Sequence, residues 1–320
     1  MPFEISRRSL LGAGAALLTD ALPARAAADT PPGKLKVCIF SKHLQFLEGE
    51  DLAKAAAEIG FDGIDLTVRK GGHVEPDRVK QDLPPLIALI RRHGLETPMV
   101  TTDIVDAETP FAEDILKTIA DLGIHNYRWM PAGAFKYTAG EPYPAQLDRF
   151  KSRIAKLAAL NGRCRVGAMY HTHSGLNLVG SSIWDLYILF KDFDPKAIGV
   201  NYDVGHATVE GGFGGWINSF RITGPHLRGI AVKDFVWAKD AKGDWVSEWK
   251  PLGEGMVRFA QFFAMVKDAG FNGPMQLHFE YPLGGAGAGK RTISVPREEV
   301  FAAMKRDLTT LRGYMTKAGV

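Results

Sequence analysis

The chain has 320 residues, 46% of them apolar and 23% charged, with 39 Lys+Arg against 36 Asp+Glu. That composition excludes a disordered tail, a collagen-like fibre and a coiled coil, and the length can bury a core without disulfide or metal staples. The formal charge of +3 shows no basic footprint, so no nucleic-acid partner is expected.

The first segment reads as an export signal. Arg7-Arg8 precede a short apolar stretch, Leu10 to Leu18, and Ala24-Arg25-Ala26 offers a small-residue cleavage site. The stretch is too short and too rich in Gly and Ala for a membrane span. The paired arginines make it a twin-arginine-type signal, which implies a periplasmic or secreted protein. The expected organisation is a signal over 1–28, a flexible lead-in over 29–35 and one domain over 36–320. Cleavage near Ala26 or Ala28 removes three arginines and two acids and leaves a net charge of +2. No later apolar run could cross a bilayer. Cys38 and Cys164 sit in apolar, strand-like runs and read as two buried thiols.

From Lys36 onward, β-rich runs alternate with helical patterns. Strands are predicted at 36–41, 63–67, 97–102, 126–130, 165–171, 197–203, 228–233 and 275–280. Helices are predicted at 51–59, 83–93, 112–122, 145–160, 259–269 and 296–315, several ending at Gly. This alternation argues for parallel βαβ units. Eight of them fit a single (β/α)8 TIM barrel of the α/β class. A doubly wound sheet would carry a Gly-rich turn after its first strand, and Ser41-Lys42-His43-Leu44 has none.

Two insertions stand out. The first, 235–257, holds Trp237, Trp245 and Trp249. The second, 283–295, contains a Gly-rich run from Gly284 to Lys290. Arg291 stands where a phosphate loop needs Ser or Thr and no helix follows, so this run reads as a mobile lid or plain linker.

Barrel chemistry sits at the C-terminal strand ends. Those ends offer Lys42 and His43 after the first strand, and Asp65, Thr67, Arg69 and His73 around the second. Thr101, Thr102 and Asp103 close the third, His171 and His173 the fifth. Asn201, Asp203 and His206 close the sixth, Lys233 and Asp234 the seventh, His278 and Glu280 the eighth. Strand alternation puts His171 with His173, Asn201 with Asp203, and His278 with Glu280 on shared faces. Imidazoles and carboxylates at one mouth suit a divalent metal such as Mn²⁺, Zn²⁺ or Fe²⁺. Plainer roles are open too: Asp203 could cap the next helix, and Glu280 could pair with Lys233. An H-x-H also marks metal-dependent amidohydrolases, but there it lies on the first strand.

The sequence resembles the xylose isomerase-like (β/α)8 barrels, a group that includes the AP endonuclease family 2 and sugar phosphate isomerase/epimerase proteins. The resemblance rests on Gly60 to Leu66, on Tyr170-His171-Thr172-His173 and on Asp203-Val204-Gly205-His206. Val232-Lys233-Asp234 and Phe279-Glu280-Tyr281-Pro282 complete it. It implies a divalent metal held by Glu, Asp, His and Glu on strands five to eight, and an acid/base pair of glutamates acting beside a sugar carbonyl. Asp203 and Glu280 match that pattern, and His206 matches a substrate-contacting His. His171 stands in place of the strand-five Glu, and Ala231 in place of the strand-seven His.

The resemblance therefore implies a metal set of His171, Asp203 and Glu280, unless Lys233 replaces the metal. Glu280, Lys233 and His173 are the expected catalytic residues. His206, His73, Arg69, Thr102, His278 and Trp237 are expected to bind a sugar or keto-sugar. The expected function is an exported, metal-dependent isomerase or epimerase acting by enolisation. The alternatives are a lyase or hydratase on a keto-sugar or glycoside at the same site, and a barrel that only binds saccharide. DNA repair, the endonuclease branch, conflicts with the near-neutral charge.

Overall fold

The computed structural model describes residues 35–129 and 134–320. The expected export signal, residues 1–28, lies outside the described residues, as does Met130 at the end of the fourth predicted strand.

Seven parallel strands come first: β1 (Val37–Phe40), β2 (Gly63–Val68), β3 (Val100–Thr102), β4 (Asn126–Trp129), β5 (Gly167–His171), β6 (Ile198–Asp203) and β7 (Leu227–Val232). An antiparallel hairpin follows, β8 (Asp234–Lys239) and β9 (Trp245–Lys250), and then β10 (Met275–Leu277). β10 pairs with both β7 and β1, which closes an eight-stranded parallel barrel. The predicted fold class is the observed one. Each predicted strand overlaps an observed one; β2 runs one residue further than predicted, β7 is shifted by one residue, and the others are shorter.

The flanking helices are α1 (Gly49–Ile59), α2 (Val79–Arg92), α3 (Ala112–Asp121), α4 (Tyr143–Cys164), α5 (Trp184–Phe190), α6 (Val204–Gly211), α7 (Gly215–Thr223), α8 (Phe259–Asp268) and α9 (Arg297–Ala318). α9 shows why the pattern was readable. It buries Val300, Met304, Leu308, Leu311 and Met315, one face at helical spacing. Full burial of each such side chain stabilises by roughly 2 kcal/mol. α5, α6 and α7 were not predicted. Each spans only 7 to 9 residues, and α6 and α7 lie in a Gly-rich run where periodicity is weak.

Both insertions take defined structure. Residues 235–257 form the β8–β9 hairpin, turned at Asp240 to Asp244. Its base is tied by Asp234, whose carboxylate accepts from the backbone N–H of Phe235, Gly253, Gly255 and Val257 at 2.9 to 3.1 Å. The Gly-rich run is not a loose lid. It folds back onto the end of the barrel, where a Cβ on Gly287 would lie 2.5 Å from the Tyr281 carbonyl oxygen. Arg291 pins it to Glu48 at 2.7 Å and to the Gly72 carbonyl at 3.2 Å. Its glycines serve close packing. Both cysteines are buried and free. Among the described residues no helix is long and apolar enough to cross a membrane.

Candidate active site at the barrel mouth

Strand parity decides what enters the barrel. On β4, Tyr127 bonds Asn161 of α4 and Trp129 packs on Phe190 of α5, so both face the helix layer. Asn126 and Arg128 therefore face inward. On β5 and β6 the inward residues include His171, Asn201 and Asp203. The interior is polar. Asn201 Nδ2 lies 2.9 Å from His171 Nδ1 and donates to Gln276 Oε1 at 2.8 Å. The amide thereby orients the His171 ring.

Lys233 is the hub of the mouth. It sits just past β7 with a side chain only 2% exposed. Its Nζ donates to Glu280 Oε2 at 2.8 Å and to His206 Nε2 at 2.7 Å, and lies 3.3 Å from Asp203 Oδ2. With Nε2 accepting, the His206 ring proton is on Nδ1 and is donated to Ser174 Oγ at 2.8 Å. The Trp249 ring caps the ammonium at 4.2 Å and meets the His206 ring edge-on at 4.9 Å. Gly205 permits this packing, because a Cβ there would lie 2.7 Å from Lys233 Cγ. Asp203 also caps α6, its Oδ1 accepting from the His206 N–H at 3.0 Å. Both plainer roles raised for Asp203 and Glu280 are thus present alongside any chemistry.

Burial and neighbours set the charge states. Burial pushes the Asp203 carboxyl up to about 6, against the pull of Lys233. Burial also works against Glu280, but Lys233 and then Lys42 hold its carboxyl well below the usual range. Lys42 Nζ is 3.6 Å from Glu280 Oε1. Glu280 keeps 24% of its side chain exposed and so opens to the mouth. Burial holds the His171, His206 and His278 rings well below the usual imidazole range, aided by Arg128 at His171 and by Lys233 at the other two. These rings are neutral.

Neutral imidazoles can take a cation. His171 Nε2, Asp203 Oδ2 and both nitrogens of His278 are buried with no hydrogen-bond partner among the described residues. His171, Asp203 and His278 offer ligand atoms within 4.8 Å of one another, as do His171, His173 and His206. Orphaned lone pairs from two imidazoles and a carboxylate fit a divalent transition metal. Glu280 belongs to neither group. The His/Asp set that could hold a metal therefore contains His278 where Glu280 was expected.

The other predicted residues separate. His173 lies at the mouth, its Nε2 accepting from Arg128 Nη2 at 3.3 Å. His206 is beside Lys233. Arg69 lies 5.6 Å from the Phe40 ring centre. His73 is occupied elsewhere: Nδ1 lies 2.9 Å from Thr67 Oγ1 and Nε2 3.1 Å from the Leu47 carbonyl, which ties a loop together. Thr102 donates to the Arg128 carbonyl at 3.0 Å and is buried in the wall. Trp237 packs on Phe235 out along the hairpin, and Trp249 is the tryptophan that reaches the site. Hairpin register made that choice, which composition alone could not. Arg128, Ser174 and Trp249 were missed. For Arg128 the signal was present, a charged residue alternating with the outward aromatics in the strand Asn126-Tyr127-Arg128-Trp129.

The chain matches the xylose isomerase-like TIM barrel family over residues 53–302. No curated protein matches it in sequence. Its fold is similar to that of D-psicose 3-epimerase from Clostridium cellulolyticum H10, at 14% identity, 88% of this chain, 99% of that one and TM-score 0.64. A "probable 3-DHS dehydratase" from Bacillus anthracis is similar at 16% identity, 86% and 99% coverage and TM-score 0.64. A xylose isomerase-like TIM barrel protein from Mycobacterium smegmatis, in complex with magnesium, is similar at 18% identity, 83% and 89% coverage and TM-score 0.59. The closed barrel and the match across most of its length make this chain a member of the xylose isomerase-like TIM barrel family.

Proposed function

We propose that this protein is an exported sugar isomerase or epimerase that moves a proton on carbon beside a carbonyl. One observation carries the reading: a partly open carboxylate, Glu280, gripped by a buried ammonium, Lys233, at the mouth of the barrel. A carboxylate base beside a fixed cation is the pairing that enolisation needs.

In the free site the two lysines make Glu280 a weak base. A substrate oxygen that takes the Lys233 hydrogen bond removes part of that grip. Glu280 then gains basicity at the moment a C–H bond lies beside it, and the ammonium stabilises the oxyanion that forms. His206, hydrogen-bonded to Lys233 and Ser174, holds the ammonium in place. The neutral His173 ring lies at the same mouth and can exchange a proton with a sugar hydroxyl. His171, Asp203 and His278 would hold a divalent metal, which when bound supplies Lewis-acid stabilisation of oxygen charge. The epimerase and magnesium-bound relatives of like fold support this reading without defining it.

A specific feature favours a second reading, elimination or hydration of a keto-sugar. His171 stands where the resemblance implies a second glutamate, so the one glutamate, Glu280, shares its ammonium partner Lys233 with the His206 ring. That asymmetry suits removal of a proton and loss of a leaving group at different atoms. The dehydratase of like fold is compatible with it.

The test is proton–deuterium exchange in heavy water with aldoses, ketoses and uronates. Wild-type protein is expected to incorporate deuterium beside the carbonyl, and Glu280→Gln to slow this by about 10²-fold or more. Equal exchange in both proteins would remove Glu280 from the role. Sugar binding with no exchange at any carbon would make the barrel a saccharide-binding protein. Export is tested by cell fractionation, with Arg7→Lys/Arg8→Lys expected to leave the chain in the cytoplasm.

A further inference from the structure

Arg128 is the least explained charge in the molecule. It projects from β4 into the barrel and is 8% exposed. Among the described residues it forms no ion pair within 4.0 Å, and its Nη1 is buried without a hydrogen-bond partner. Its one side-chain hydrogen bond goes to the neutral His173 ring at 3.3 Å. A buried, unpaired guanidinium costs several kcal/mol unless something neutralises it.

No described residue supplies that neutralisation at ion-pair distance. Asp65 is the carboxylate with the strongest pull on Arg128, but it makes no ion pair with it, and Thr101 Oγ1 lies 2.9 Å from both its oxygens. Burial raises the Asp65 carboxyl to about 7, despite Arg128, so it carries only part of a charge near neutral pH. Glu280 and Asp203 are matched to Lys233 and Lys42. Arg69 adds a second cation without an ion pair among the described residues, and the Arg69 and Arg128 guanidinium carbons lie 5.6 and 5.2 Å from the Phe40 ring centre. One side of the mouth therefore holds more positive charge than the described residues balance.

We propose that the substrate of this site carries an anionic oxygen group, a carboxylate or a phosphoryl, that Arg128 receives with Arg69 beside it. A planar fork with free N–H groups matches two oxygens of such a group at once. The group would anchor one end of the sugar, and the carbon chain would run from Arg128 toward Lys233 and Glu280. The inference rests on the reading of the mouth as an enolising sugar site.

The experiment compares D-glucose, D-glucuronate and D-glucose 6-phosphate by calorimetry at fixed ionic strength, using the whole protein. The three differ at one carbon: hydroxymethyl, carboxylate or phosphoryl ester. At least one anionic sugar is expected to bind ten-fold or more tighter than glucose, and which one identifies the group. Arg128→Gln is expected to erase that preference, and Arg128→Lys to keep part of it. Removing an unpaired buried charge should not unfold the protein; if Arg128→Gln nevertheless fails to fold, Arg128→Lys decides. Equal binding of all three, or an unchanged preference in a folded Arg128 variant, overturns the proposal. Exchange in heavy water separates the two ideas. Exchange without anion preference overturns this one alone, and anion preference without exchange overturns the enolising reading alone.

Discussion

Lys233→Met is the most informative single perturbation. Methionine keeps most of the length and removes only the charge. In the protein the ammonium lies 3.3 Å from Asp203, a residue with no exposure, and 2.8 Å from Glu280. Breaking a buried pair by deleting one partner costs about 3–5 kcal/mol, because a buried charge is left behind. Glu280 retains Lys42 and some solvent, so Asp203 bears most of the loss. Its carboxyl already stands near 6 with Lys233 in place, and it rises further without it. A carboxyl whose folded value is raised costs stability increasingly as pH rises from its ordinary value, and the cost is complete above the folded value; a further rise in the variant therefore adds cost only above about pH 6. The variant's deficit is therefore expected to be about 3 kcal/mol or more at pH 8 and to shrink below about 1 kcal/mol near pH 5. Urea unfolding of metal-stripped protein, followed by tryptophan fluorescence at both pH values, measures it. A deficit under about 1 kcal/mol at pH 8, or one that does not change with pH, refutes the claim that Lys233 neutralises Asp203.

Three other outcomes are expected. His43 Nε2 accepts the Phe279 N–H at 3.1 Å, and burial, reinforced by Lys42, holds the ring down to about 3. An imidazole lowered on folding stabilises above its ordinary 6.5, and that contribution is lost as pH falls from 6.5 toward 3. The cost of His43→Gln measured at pH 7.5 should therefore fall by about 2 kcal/mol at pH 5, and a constant difference would deny the buried neutral ring. Metal analysis of purified protein should find about one divalent ion per chain, lost in Asp203→Ala and His278→Ala; retention in both would remove the His171–Asp203–His278 set. Gly205→Ala should cost about 1–3 kcal/mol in thermal unfolding and slow exchange, because its methyl group displaces Lys233; a neutral effect on both would show that Lys233 has room to move.

Much of this protein was legible without coordinates. The six helices could be read because each buries a face at helical period, and the eight barrel strands because short β-rich runs, most of them buried on both faces, alternate with those helices. The strand-end rule also located Asp203, Lys233, His206 and Glu280 at one mouth. Three short helices and the hairpin were not legible. Their segments are too brief, or too rich in Gly and charge, for a period to emerge.

Partnership within the mouth belonged to tertiary structure alone. Whether His278 or Glu280 comes within ligand distance of His171 and Asp203 depends on how the strand ends converge, and where Lys233 places its ammonium depends on packing against Gly205 and Trp249. Whether Trp237 or Trp249 meets the site depends on hairpin register. Whether Arg128 finds a counter-charge depends on how deeply the barrel buries Asp65. The opening charge count of +3 named no partner. In three dimensions the same near balance leaves buried positive charge on one side of the mouth. Composition sums charges over the chain, but a substrate meets only those that the barrel brings together.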